Sequence, residues 1–107
     1  MKKFTFLFIL LLHPIVNFAQ SRAGFINAGD ECMAKNDGFS AIGYYEQAAA
    51  YSEDAELFLK TAKAYFSVSD YSRALLNSEK ARKEASDSEI KKLSILLTGE
   101  LLTYRKI

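Results

Sequence analysis

Asp37-Gly38-Phe39-Ser40-Ala41-Ile42-Gly43-Tyr44-Tyr45-Glu46-Gln47-Ala48 is answered 33 residues later by Asp70-Tyr71-Ser72-Arg73-Ala74-Leu75-Leu76-Asn77-Ser78-Glu79-Lys80-Ala81. An aspartate, two alanines and a glutamate recur at identical places. Upstream, the same offset pairs Phe25 with Phe58, Ile26 with Leu59, Gly29 with Ala62 and Cys32 with Tyr65. A fixed period of this length marks stacked units, each covering an apolar face that its neighbour cannot bury alone. Such stacks present extended surfaces, so the first expectation is binding of another molecule rather than catalysis.

Working outward from the duplication, the chain past Pro14 reads as helix throughout, with no strand-like alternation. Five helices are predicted: about Ala23 to Lys35, Phe39 to Tyr51, Ala55 to Val68, Tyr71 to Ala85, and from about Ser88 to Tyr104. Asn36-Asp37-Gly38, Ser52-Glu53-Asp54 and Ser69-Asp70 are the intervening turns, and each supplies an aspartate able to cap the helix that follows. Ser86-Asp87-Ser88-Glu89 has the spacing of a capping box for the fifth helix. In the first helix Phe25, Ala28, Gly29 and Cys32 share a stripe. In the second, Ala41, Ile42, Tyr45, Ala48 and Ala49 point inward, and in the third Phe58, Ala62 and Tyr65 do so. Small residues on one helix opposite aromatic bulk on the next allow close antiparallel pairing, and the short connections permit little else.

The N-terminus reads as an address. Met1-Lys2-Lys3 is a basic head, and the 13 residues from Phe4 to Val16 are interrupted only by Thr5, His13 and Pro14. Asn17-Phe18-Ala19-Gln20 closes the segment with a small residue, the order of a secretory signal cut after Ala19. The apolar run falls short of the roughly 20 residues that span a bilayer, and Pro14 interrupts it. Residues 1–19 are therefore expected to be a signal peptide, which makes the remainder an exported protein, in the periplasm, at the outer membrane or beyond. Membrane contact is expected only through that segment before cleavage.

The 88 residues that remain suffice for one small domain, expected over 20–107. They carry 12 bases against 13 acids, which gives no electrostatic footprint for nucleic acid. The charge is nevertheless polarised. Residues 20–59 hold two bases and seven acids, net −5, whereas residues 60–107 hold ten bases and six acids, net +4. Such a molecule either solvates two differently charged ends, or stacks head to tail, or pairs its basic end with an acidic partner. The only histidine, His13, leaves with the signal, and Cys32 is the only cysteine. That excludes an internal disulfide, leaves no nitrogen and sulfur cluster for zinc, and removes the usual base for an activated nucleophile. Neither a phosphate loop nor a calcium loop is present. No catalytic residue, cofactor or metal is expected, and Cys32 is expected to be a small packing residue.

With Ala62, Tyr65, Ala74 and Ala81 around Asp70-Tyr71, and Gly29, Ala41, Tyr45 and Ala48 before them, the chain resembles a tetratricopeptide repeat protein over residues 22 to about 86. It departs from that pattern at Cys32 and Ser78, where aromatics are expected, and at Glu53 and Ser86, where proline usually ends the unit. The resemblance implies an all-α, right-handed superhelix of two antiparallel helix hairpins, about 22–54 and 55–87, closed by a capping helix at about 88–105. It also implies that the first helices line a concave groove for a peptide or protein partner. Groove candidates carried over residue by residue are Ile26, Asp30 and Met33 in the first unit and Leu59, Lys63 and Phe66 in the second.

In the fifth helix Ile90, Leu93, Leu97, Leu101 and Tyr104 form one stripe, widened by Leu96 and Ile107, that is expected to close the second unit. Ile95 and Leu102 lie on the other side, seven residues apart. They are candidates for a docking edge, for a second copy, another envelope protein or further repeats. The leading expectation is a non-enzymatic interaction scaffold. A self-associating module is the alternative, and so is the front block of a larger outer-membrane-associated protein, since such proteins also begin with repeats behind a signal.

Overall fold

The computed structural model describes residues 21–105, and the expected signal segment and Ile107 lie outside the described residues. Among those residues there are five helices and no strand: α1 (Arg22–Ala34), α2 (Gly38–Ala49), α3 (Ala55–Ser67), α4 (Tyr71–Glu84) and α5 (Ser88–Arg105). Each helix packs on the next, and α3 also touches α5. Arg22 at the start of α1 pairs with Asp54 at the start of α3 at 3.0 Å. Phe66 near the end of α3 meets Tyr104 near the end of α5 edge-on at 5.3 Å. These contacts fix α1, α3 and α5 as running one way, with α2 and α4 returning between them.

The period survives in the backbone. Asn36 and Ser69, 33 residues apart, are the only non-glycine residues with positive φ among those described, at 60° and 65°. After each, the same two bonds wrap the helix end. Asp37 N–H donates to Cys32 C=O at 2.8 Å, as Asp70 N–H does to Tyr65 C=O at 3.0 Å. Asn36 N–H donates to Met33 C=O, as Ser69 N–H does to Phe66 C=O. This is a Schellman ending with a left-handed residue. Its last member then serves as N-cap of the next helix, since Asp37 Oδ1 accepts from Ser40 N–H and Asp70 Oδ1 from Arg73 N–H. One residue thus stops one helix and starts the next, which leaves no slack in the corner.

The interior has two centres. Ala41, Tyr45, Ala48, Leu57 and Ala64 form the first, with Phe25, Ile26, Cys32 and Met33 packed against it. Ala74, Leu75 and Leu101 form the second, flanked by Tyr65, Phe66, Tyr71 and Leu97. Helix α3 lies between α2 and α4 and so buries more than the single expected stripe. Leu57, Thr61 and Ala64 are buried as well as Ala62.

Two expectations for α5 need correction. Its cap is Asp87, whose Oδ1 accepts from Glu89 N–H at 2.8 Å and from Ile90 N–H, rather than Ser86. Its inward stripe is Ile90, Ser94, Leu97 and Leu101, while Leu93 and Leu96 are exposed. Ser94 takes the core position because hydroxyls close this seam. Ser94 donates to Ile90 C=O, Thr98 donates to Ser94 C=O, and Thr98 Oγ1 stands 3.0 Å from Ser78 Oγ on α4. The buried Ser78 hydroxyl itself donates to Leu75 C=O at 2.9 Å, so Thr98 adds a second polar neighbour to a group already paired. Three inward positions of α5, Ile90, Ser94 and Leu97, answer Leu57, Thr61 and Ala64 of α3, whereas Lys92 and Ile95, which answer the buried Leu59 and Ala62, are exposed.

Candidate functional site

The surface shared by α1 and α3 is held together by polar contacts between parallel helices. Arg22 Nε donates to Ser52 C=O at 3.0 Å while its guanidinium pairs with Asp54, which ties the link between hairpins back onto α1. Eight residues along α1, Asp30 accepts from Lys60 Nζ at 3.0 Å on both carboxylate oxygens. The same carboxylate accepts from Tyr45 Oη of α2 at 2.6 Å. Asp30 therefore binds three helices together. Burial, and then the hydrogen bond to Asp30, push the Tyr45 phenol far above its ordinary range, so it stays a neutral donor.

The six groove candidates do not share one fate. Ile26 and Met33 are half-buried against the first core centre. Asp30 is committed to Tyr45 and Lys60. Leu59 is buried, at 5 % exposure. Lys63 is exposed, and Phe66 is half-buried in a ring cluster with Tyr71 at 5.7 Å and Tyr104. Between the N-terminal halves of α1 and α3 opens a cleft of about 410 Å³, lined by Arg22, Ile26, Asn27, Leu57 and Lys60 among others. It joins an apolar floor to a basic rim and to the carboxylates of Asp54 and Glu56.

The sequence did not single out a second, larger recess of about 750 Å³, on the side of α2 and α4. Phe39, Ile42, Glu46, Tyr65, Tyr71 and Arg73 line it. Tyr65 Oη donates to Glu46 Oε1 at 2.8 Å across its floor, and burial with that bond raises the Tyr65 phenol. At the rim Arg73 pairs with Asp70 at 2.7 Å, which holds the carboxylate below its usual range. The one available signal was Phe39, an aromatic at the second residue of a helix with nothing inward to fill.

On α5 the docking-edge pair is open to solvent, Ile95 at 49 % and Leu102 at 42 % exposure. Leu93 and Leu96 stand at the positions that Lys60 and Lys63 hold on α3, so they extend the α1–α3 surface onto α5. Cys32 carries a free thiol and packs half-buried against the first centre. No helix among the described residues is long and apolar enough to cross a membrane. No protein-family model, curated protein or solved structure matches this chain.

Proposed function

We propose that this chain is a short tetratricopeptide-type repeat protein, exported through its N-terminal signal, that holds a peptide or protein segment without chemical turnover. The reading places the partner on the layer of first helices, across Ile26, Met33, Lys63 and the edge of Phe66, with Leu93 and Leu96 as its continuation. One observation carries it: α1, α3 and α5 run parallel, and the row of Asn27 and Asp30 on α1 recurs every 33 residues as Lys60 and Lys63 on α3 and as Leu93 and Leu96 on α5, which makes one continuous surface. That surface mixes apolar side chains with an exposed cation, the composition that suits a segment with both apolar and acidic groups. A right-handed superhelical path and a location in the periplasm or at the outer membrane belong to the same proposal.

The test is selection of peptides from a displayed random library on the purified chain, followed by binding to variants. Ile26→Asp and Lys63→Glu are expected to weaken the selected peptides at least tenfold, a loss of about 1.4 kcal/mol. Lys83→Glu, at the far end of α4, should leave them unchanged. Selected peptides that bound all three variants equally well would sink the reading.

A further inference from the structure

Among the described residues, two outward faces lack a neighbouring helix, and their shapes and charges are opposite. On α5, the side away from α4 carries Lys91, Lys92, Ile95, Gly99 and Leu102, all exposed. Ile95 stands at the position that Gly29 holds on α1 and Ala62 on α3. At Gly29 the room is taken by the second helix of the same hairpin, because a Cβ there would lie 2.7 Å from Tyr45 Cδ1. With isoleucine at that position and Lys91 where Phe25 and Phe58 stand, α5 presents bulk where the other two present a slot. Whatever covers α5 must supply the small residues itself.

Helix α1 supplies them. Its side away from α2 carries Gly24, Asn27, Glu31 and Ala34, with Ala28 at the flank. Charge points the same way. The half of the chain that contains α1 is net −5, and the half that contains α5 is net +4. A two-fold pairing of α5 with α5 would instead bring two like-charged, net-positive halves together.

We infer that copies of this chain associate head to tail, the outward face of α5 seated on the outward face of α1 of the next copy. The two helices run antiparallel, as every consecutive packed pair does within the chain. In that register Lys92 meets Glu31 of the next copy, Ile95 lies over Ala28, Gly99 faces Gly24, and Leu102 reaches Ser21. A Cβ on Gly99 would meet nothing within 4 Å in the single chain, so this point of the face is open for a backbone to approach. The contact is heterologous and does not close on itself, so assembly is open-ended rather than dimeric. It borders the α1–α3 cleft at Asn27 and stands whether or not a peptide binds there.

The experiment is sedimentation velocity over a concentration series, on protein purified from cells that express the full chain. The wild type is expected to grow beyond a dimer as concentration rises and to dissociate as salt screens the charges. Lys92→Glu and Glu31→Lys should each weaken association about tenfold or more, worth about 1.4 kcal/mol. The double reversal should restore it. Both sites are exposed, so an unchanged helical circular dichroism spectrum separates lost association from lost folding. A concentration-independent monomer would overturn the inference. So would a stable dimer that Lys92→Glu tightens, since that outcome means two α5 faces meet.

Discussion

Position 29 shows how the two hairpins reach the same closeness by different means. In the first, the missing side chain of Gly29 lets the Tyr45 ring lie against α1, where a Cβ would stand 2.7 Å from Cδ1 and 2.9 Å from Cζ. In the second, the equivalent residues are Ala62 and Ser78, both fully buried. Glycine with tyrosine and alanine with serine share out the space between helices differently. Gly29→Ala is therefore expected to cost about 1–3 kcal/mol by overpacking. In a Tyr45→Ser background, which copies the second hairpin, the added cost should fall to near zero. Urea denaturation of the four variants reads the coupling, and additive losses would refute it. Tyr45 also sets an alkaline limit. Its folded pKa lies above the ordinary 10.0, so its stabilisation is complete below about pH 10 and is lost as pH rises toward the folded value. Tyr45→Phe should flatten the fall in unfolding temperature between pH 9 and pH 11. An equally steep fall in the variant would assign that alkaline limit to other tyrosines, with Tyr65, also raised, the first to examine.

At the scale of the element, the corners are better specified than the helices. Asn36 and Ser69 sit in the left-handed region that glycine occupies without cost. Asparagine tolerates that conformation far better than serine does. Ser69→Gly should therefore raise stability by roughly 0.5–1 kcal/mol, while Asn36→Gly changes little. Thermal melts of the two variants check this, and equal effects would mean the corners are not strained as their dihedrals indicate. The corner aspartates were legible in the sequence because Asp37, Asp54 and Asp70 each precede a helical pattern and have a short side chain that can cap. The face of α5 was not legible. A stripe of leucines read from Leu93 and Leu97 is the natural reading when burial follows hydrophobicity. At the α4 seam, however, Ser78, Ser94 and Thr98 each donate to a carbonyl of their own helix, and Thr98 also meets Ser78, so hydroxyls occupy the inward line that leucines were expected to fill. Asp87 similarly displaced Ser86, since its carboxylate reaches two amides from one residue closer.

At the scale of the molecule, the 33-residue echo was enough to foresee that the helices stack in sequence, because every inward small residue it paired is buried or half-buried. It was not enough to separate groove from glue. Asp30 looked like a partner-facing carboxylate, and only the approach of α3 shows it spent on Lys60 and Tyr45. Contacts between elements far apart along the chain leave no mark in local spacing. The same arrangement makes a prediction about cooperativity. Among the described residues, α5 rests on α4 and touches α3, with no comparable packing onto α1 or α2. Leu101 is fully buried in the second centre, so Leu101→Ala should cost about 2–5 kcal/mol locally. In a stack coupled only through neighbours that loss should spread unevenly. Amide hydrogen exchange is then expected to quicken most in α5 and in α4 around Ala74 to Ala81. The amides of α1 and α2 should keep more of their protection, because Asp30, Tyr45 and Lys60 still tie α3 to the first hairpin. A uniform acceleration from Arg22 to Arg105 would show instead that the two core centres open as one unit.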